Sequence, residues 1–182
     1  GAAYVFASGA LGGTPAFGLF AALPNGEVLQ LPLTPTARVQ VLHNAPSPTV
    51  DVYAGNTLLL NDFAFRTATP YIDFPAGRDV AFGIAPANST SATDAIATFN
   101  ASFAISGTYM VAASGVVGST TTPFTLIIDG NAAETAQAGA VRVSVLHGAP
   151  DAPAVDVVER LNGTLVNNLA YGAFTPYLTL PA

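Results

Sequence analysis

Two imidazoles, His43 and His147, make up the chain's whole stock of histidine, and a carboxylate follows each at similar distance, Asp51 after the first and Asp156 after the second. An imidazole beside a carboxylate can act as a general acid–base couple or as a pair of ligands. Both histidines, however, stand at the same place in a phrase that the chain uses twice. Positions about 105 residues apart in a repeated unit lie on separate domains of an extended array, so the two rings cannot meet in one centre. A simpler role accounts for both copies: an imidazole that ends a strand and hydrogen-bonds the proline-rich stretch beyond it. That role is expected here.

Other chemistry finds little to work with. The carboxylates Asp51, Asp62, Asp73, Asp79, Asp94, Asp129 and Glu134 are scattered, whereas a glycosidase needs two held roughly 5–10 Å apart in a cleft. A calcium loop would show a dense D-x-D-x-D-G run, and Asp129-Gly130-Asn131 reads instead as a tight turn. Ala7-Ser8-Gly9 and Ala113-Ser114-Gly115 lack the first glycine of a hydrolase elbow and repeat one another, as strand ends would. There is no Cys and no Lys, which removes thiolate metal sites, cysteine nucleophiles, disulfides, Schiff bases and lysine isopeptide links. Net charge is −6, so a nucleic-acid backbone is not an expected partner. Asn88, Asn100 and Asn162 open glycosylation sequons, whose use requires a competent host, and a chance match is the expected reading. The aromatics are mostly Phe at core-like spacing, without the Trp that lines many sugar-binding faces. The expectation is a protein without enzymatic activity and without a cofactor or metal.

The elements that position these residues are repeated with them. Arg38-Val-Gln-Val-Leu-His-Asn-Ala-Pro46 recurs as Arg142-Val-Ser-Val-Leu-His-Gly-Ala-Pro150, Val50-Asp51-Val52 as Val155-Asp156-Val157, and Tyr71 to Ala76 as Tyr177 to Ala182. Val5-Phe-Ala-Ser-Gly9 and Phe17-Gly-Leu-Phe20 resemble Val111-Ala-Ala-Ser-Gly115 and Phe124-Thr-Leu-Ile127. Residues 1–36 therefore read as the end of one repeat, 37–138 as a whole repeat, and 139–182 as the beginning of another.

Within the whole repeat, Arg38–Val41, Val50–Tyr53, Tyr71–Phe74, Val80–Ile84, Ile96–Phe103, Tyr109–Ala113 and Phe124–Ile128 read as members of a set of about eight short strands. Gly, Pro, Asn and Ser clusters punctuate them. Half the residues are apolar (51%) and few are charged (9%), yet no apolar run approaches the ~18 residues of a membrane-spanning helix. No basic segment followed by an apolar one opens the chain, so any secretion signal lies outside it. The expected fold is all-β, a two-sheet sandwich with no membrane insertion.

The phrase Arg-Val-x-Val-Leu-His-x-Ala-Pro, then Val-Asp-Val, then Tyr-x-x-x-Pro-Ala, resembles the DUF4397 domain. The second copy, His147-Gly-Ala-Pro-Asp-Ala-Pro-Ala-Val-Asp156, is the nearer match, and the first is one residue shorter after Asn44. The resemblance implies tandem immunoglobulin-like β-sandwich modules outside the cell. It marks Arg38, His43, Pro46, Asp51 and Tyr71, with Arg142, His147, Pro150, Asp156 and Tyr177, as the structural motif, and it carries no chemistry to transfer.

The outer stretches, 1–36 and 139–182, hold apolar strands without a complete second sheet, which invites association. Head-to-tail contact or strand complementation between copies would build a non-covalent filament or surface array. The two stretches together lack the counterpart of Gly77–Gly107, about two strands and a Ser/Thr loop, so a longer repetitive protein is the other possibility. An adhesin or carbohydrate-binding module, with the Ala87–Asp94 loop meeting surface glycans, is the alternative function. A secreted hydrolase is a weaker one.

Overall fold

Short runs of branched and aromatic residues, interrupted every few positions by Gly, Pro or Asn, favour strands over helices. The computed structural model describes residues 2–31, 34–46, 48–160 and 163–182. Among them are fifteen strands and a single 3-10 turn at Ala92–Asp94. The chain divides into two units, Gly1–Pro35 and Thr36–Ala182.

The first unit is an antiparallel meander of β1 (Tyr4–Ser8), β2 (Gly18–Ala22) and β3 (Val28–Gln30). Ala7 pairs with Leu19 and Ser8 with Gly18. The chain leaves β1 through Gly9, whose φ is +92°. A methyl group on Gly9 would fall 2.2 Å from the Ala16 carbonyl oxygen, so only glycine fits this turn.

The second unit contains a full β-sandwich. Its strands are β4 (Thr36–His43), β5 (Val50–Ala54), β6 (Thr57–Phe63), β7 (Ile72–Pro75), β8 (Asp79–Pro86), β9 (Ala97–Ser102), β10 (Thr108–Ser114) and β11 (Thr125–Asp129). They form two four-stranded sheets, in the orders β11-β10-β4-β7 and β6-β5-β8-β9. Every pairing is antiparallel except that of β10 with β4, which is parallel, with Val111 opposite Val41 and Ala113 opposite His43.

The core lies where the inward faces meet. Val39, Phe74, Phe82, Phe103 and Val111 are buried there. The Phe103 ring stands edge-on to both Phe74 (6.0 Å) and Phe82 (6.1 Å). Burying each such side chain contributes about 1.5–3 kcal/mol, and edge-to-face packing adds to it.

Strand β6 is not among the strands expected from the sequence. Its Leu58-Leu59-Leu60 run does not alternate, because the pairing with β5 slips between Val50 and Tyr53. Asp62, in the left-handed region at φ 52°, completes the irregularity. A bulge puts two residues against one and shifts the inward–outward phase that sequence patterning relies on.

The same unit continues as a second copy of four strands, β12 (Ala140–Val143), β13 (Val155–Glu159), β14 (Gly163–Leu169) and β15 (Leu178–Pro181), paired as β12-β15 and β13-β14. The pairs correspond to β4-β7 and β5-β6, down to individual bonds. The Val41 N–H donates to the Thr69 hydroxyl at 2.9 Å, and Val145 to Thr175 at 2.9 Å. The Arg66 N–H donates to the His43 carbonyl at 2.8 Å, and Gly172 to His147 at 2.9 Å. Among the described residues, no strand lies on the second edge of β12 or of β13. The stretch Gly77–Gly107, expected to have no counterpart in the outer segments, holds β8, β9 and the Ser/Thr loop between them.

Candidate functional site

The repeated motif is where chemistry would have to reside. His43 ends β4 and is 1% exposed. Its Nε2 lies 3.0 Å from the Pro48 carbonyl, and His147 Nε2 lies 2.9 Å from the Pro153 carbonyl. A carbonyl can only accept, so in both copies Nε2 carries a hydrogen. The Ala149 N–H donates to His147 Nδ1 at 3.4 Å, whereas His43 Nδ1 is buried without a partner. The rings pack against Phe63 in one copy and Tyr171 in the other. Each histidine thereby ties the end of its strand to the proline-rich loop that follows.

Asp51 serves a different neighbour. It is 1% exposed on β5. Its Oδ1 accepts from the Asp62 N–H at 2.9 Å, and its Oδ2 accepts from the Ser89 hydroxyl at 2.5 Å. Ser89 also shares a hydrogen bond with the Tyr53 hydroxyl at 2.9 Å. Asp156 repeats the first of these bonds, accepting from the Asn168 N–H at 2.7 Å. Asp62 and Asn168 both have positive φ (52° and 54°). The carboxylate thus satisfies the amide that each bulge turns away from its ladder. His43 and Asp51 share no hydrogen bond, so the geometry provides two separate braces and no acid–base couple.

Arg38 reaches furthest along the chain. Its Nε and Nη2 donate to both oxygens of Glu134 at 2.9 and 3.0 Å, and Nη1 to Asp73 at 3.2 Å. The hydrogen bonds from Arg38 hold the Glu134 carboxyl below the usual carboxylate range. This bidentate pair fastens the segment between β11 and β12 to the sandwich. The equivalent Arg142 instead lies over the Tyr177 ring, 4.5 Å from its centroid. The Tyr177 hydroxyl accepts from the Ala133 N–H at 3.0 Å. Tyr71 is half-buried, and that burial, followed by the neighbouring Tyr177, raises its phenol above the ordinary range.

Pro46 and Pro150 line a common cleft with Asn44, Gly148, Phe65 and Arg66, at the junction of the complete repeat with the second copy. The Asn44 amide crosses it to the Gly148 carbonyl at 2.6 Å, and the Ser114 hydroxyl meets that of Tyr171 at 3.3 Å. Asn44 and Tyr171 do not stand out in the sequence as junction residues, and Ser114, with its counterpart Ser8, reads there only as a strand end. Between the sheets the free space is about 40 Å³ with an apolar lining, room for no more than a small apolar guest.

Among the described residues no three His, Asp or Glu side chains stand close enough to hold a metal ion, and no helix is long and apolar enough to cross a membrane. Asn88 and Asn100 are exposed, while Asn162 lies outside the described residues. The Ala87–Asp94 loop is held by the Asp94 carboxylate, which accepts from the Thr90 N–H at 2.7 Å and the Ser91 N–H at 3.1 Å.

A two-sheet sandwich whose buried His and Asp brace loops and bulges, with the motif recurring further along, defines a β-sandwich protein with internal repetition. The chain matches the family described as "Domain of unknown function (DUF4397)" over residues 37–158 and again over 142–182, and it belongs to that family. No curated protein matches the chain, and no solved structure does.

Proposed function

We propose that this chain is a structural protein of the cell exterior, associating with copies of itself without covalent links into a filament or surface array. The observation that carries the reading is the large apolar side chains that both units expose: Tyr4 by 83% and Val5 by 63% on β1, Val141 by 45% on β12 and Val158 by 64% on β13. Exposed apolar strands of this kind invite strand-to-strand association.

With neither Cys nor Lys, cohesion rests on backbone ladders and burial. At ~25 cal/mol per Å², an interface of ~2,000 Å² supplies tens of kcal/mol of hydrophobic driving force before ordering is subtracted. The low charge content, 9%, leaves few groups to desolvate at such a contact. Light scattering of the purified chain over a concentration series, with electron microscopy of the same samples, tests the reading. Concentration-dependent growth into fibres or sheets is expected. A strictly monomeric species at high concentration would overturn it. Saturable binding on a glycan array that is lost on replacing Ala87–Asp94, without self-association, would put an adhesin in its place.

A further inference from the structure

We infer that the complete repeat carries a binding site for a neutral, ring-sized apolar molecule with a single hydroxyl group, in a hollow walled by β9, His43 and the connection from β10 to β11. The site lies within one repeat, so it stands whether or not copies associate.

The sequence leaves this hollow for a local reason. β9 and β11 are outer strands of the two sheets. The inward row of β9 reads Ala97, Phe99, Ala101, all half-buried, while Thr98, Asn100 and Ser102 face out. Two small residues flank one large one, so only Phe99 reaches across to the other sheet. Its ring meets Phe124 edge-on at 5.6 Å, and both pack on a second core cluster of Val50, Val52 and Ile84. Beside Ala97, which pairs with Ile84, the space stays open.

The hollow measures about 260 Å³, and an apolar cavity of about 150 Å³ takes up benzene. Its mouth is apolar too. The connection after β10 closes a turn in which the Ser119 N–H donates to the Val116 carbonyl at 3.1 Å, and this sets Val117 at the rim. Val117 is 52% exposed and Ile96, which also lines the hollow, is 56% exposed. A guest would cover both and would tie β9 to the β10–β11 connection, stabilising the folded chain by linkage.

The polar content of the wall defines the guest. His43 and Pro48 line the hollow, but the Pro48 carbonyl already accepts from His43 Nε2. His43 Nδ1 is left buried and without a partner, whereas the Ala149 N–H reaches the equivalent atom of His147. In the neutral ring with its hydrogen on Nε2, Nδ1 accepts one hydrogen bond, and a donor supplied by a guest would relieve the cost of burying it unpaired. No Asp, Glu, Lys or Arg is among the described residues of the wall, so a charged guest would lie there uncompensated. A saccharide would leave most of its hydroxyls facing Val50, Ile84 and Phe99. A ring with one O–H matches both features: its body packs against Phe99 and Phe124, and its hydroxyl donates to Nδ1.

Phenol and toluene, which differ by a hydroxyl in place of a methyl group, are the probes. Each is titrated into the purified chain at about pH 8, above the ordinary imidazole range. Nuclear magnetic resonance follows the methyl groups of Val50, Ile84, Ile96 and Val117 and the ring nitrogens of both histidines. Saturable one-to-one binding is expected, with phenol at least about threefold tighter than toluene, an order that an apolar hollow without an acceptor would reverse. The His43 Nδ1 resonance should move as phenol binds while that of His147 stays in place. Val117→Trp at the exposed rim and Ala97→Leu on β9 fill the hollow from two sides and should each weaken phenol binding at least about tenfold, with unfolding curves confirming that the variants fold. Absence of saturable binding, toluene binding as tightly as phenol, a His43 nitrogen that does not respond, or a folded filling variant that keeps the parent affinity would each overturn the inference.

Discussion

Asn44 and Gly148 occupy the same position in the two copies of the motif, and they touch: the Asn44 amide donates to the Gly148 carbonyl at 2.6 Å. Tyr71 and Tyr177, likewise equivalent, lie near enough that Tyr177 adds to the raised phenol of Tyr71. The contact between Asn44 and Gly148 accounts for the difference between the two copies at these positions. A second asparagine would leave no room, since a methyl group on Gly148 would already lie 2.2 Å from Asn44 Nδ2.

Gly148→Ala should therefore displace the Asn44 amide and destabilise the chain by about 1–2 kcal/mol, the scale of a lost hydrogen bond plus local crowding. In an Asn44→Ala background the same change should be nearly neutral. Urea unfolding of the two single variants and the double variant measures the coupling, and simple additivity would contradict the contact.

Asp51→Ala should be the more damaging of the two equivalent changes, at about 1–3 kcal/mol, because it removes a carboxylate that is 1% exposed and takes the acceptor from the Asp62 amide and the Ser89 hydroxyl. Asp156→Ala, at an exposed position where the carboxylate accepts from the Asn168 N–H and the Asn167 amide in water-accessible surroundings, should lower stability by less than about 1 kcal/mol. Thermal and denaturant midpoints of the two variants provide the comparison.

Gly115→Ala combines a left-handed φ with a backbone oxygen in the way, so relief by side-chain movement is not open to it. A loss of more than about 1 kcal/mol in denaturant unfolding is expected. Gly9→Ala meets the same obstacle in the β1–β2 hairpin. Its effect should be confined to the first unit, with the unfolding of Thr36–Ala182 little changed.

Stability should fall at both ends of the pH scale. Glu134 has a lowered carboxyl in the folded chain, chiefly through Arg38. Its contribution is complete above the ordinary carboxylate range and is lost as pH falls through the lowered value. Tyr71 has a raised phenol, chiefly through burial. Its contribution holds below the ordinary tyrosine value of about 10 and disappears as pH rises through the raised one. Glu134→Gln should flatten the acid limb of a stability–pH curve and Tyr71→Phe the alkaline limb, each leaving the other limb in place.

The sequence by itself determined the strand-rich class, most strand positions and the duplication of the motif. Period-two alternation, Gly and Pro turns and literal repetition are local features that need no partner to be recognised. It also pointed to His43 and His147 as strand-end residues, because one position used twice argues for a shared structural duty. The tertiary structure decided what each side chain holds. Asp51 braces a bulge in a strand whose Leu58-Leu59-Leu60 run hides its own phase. Arg38 finds Glu134 across 96 residues of sequence. β10 joins β4 in parallel, and Asn44 meets its own counterpart. Such pairings depend on which distant segments close on one another, and a strand's local pattern shows which face is apolar but not which edge it will join.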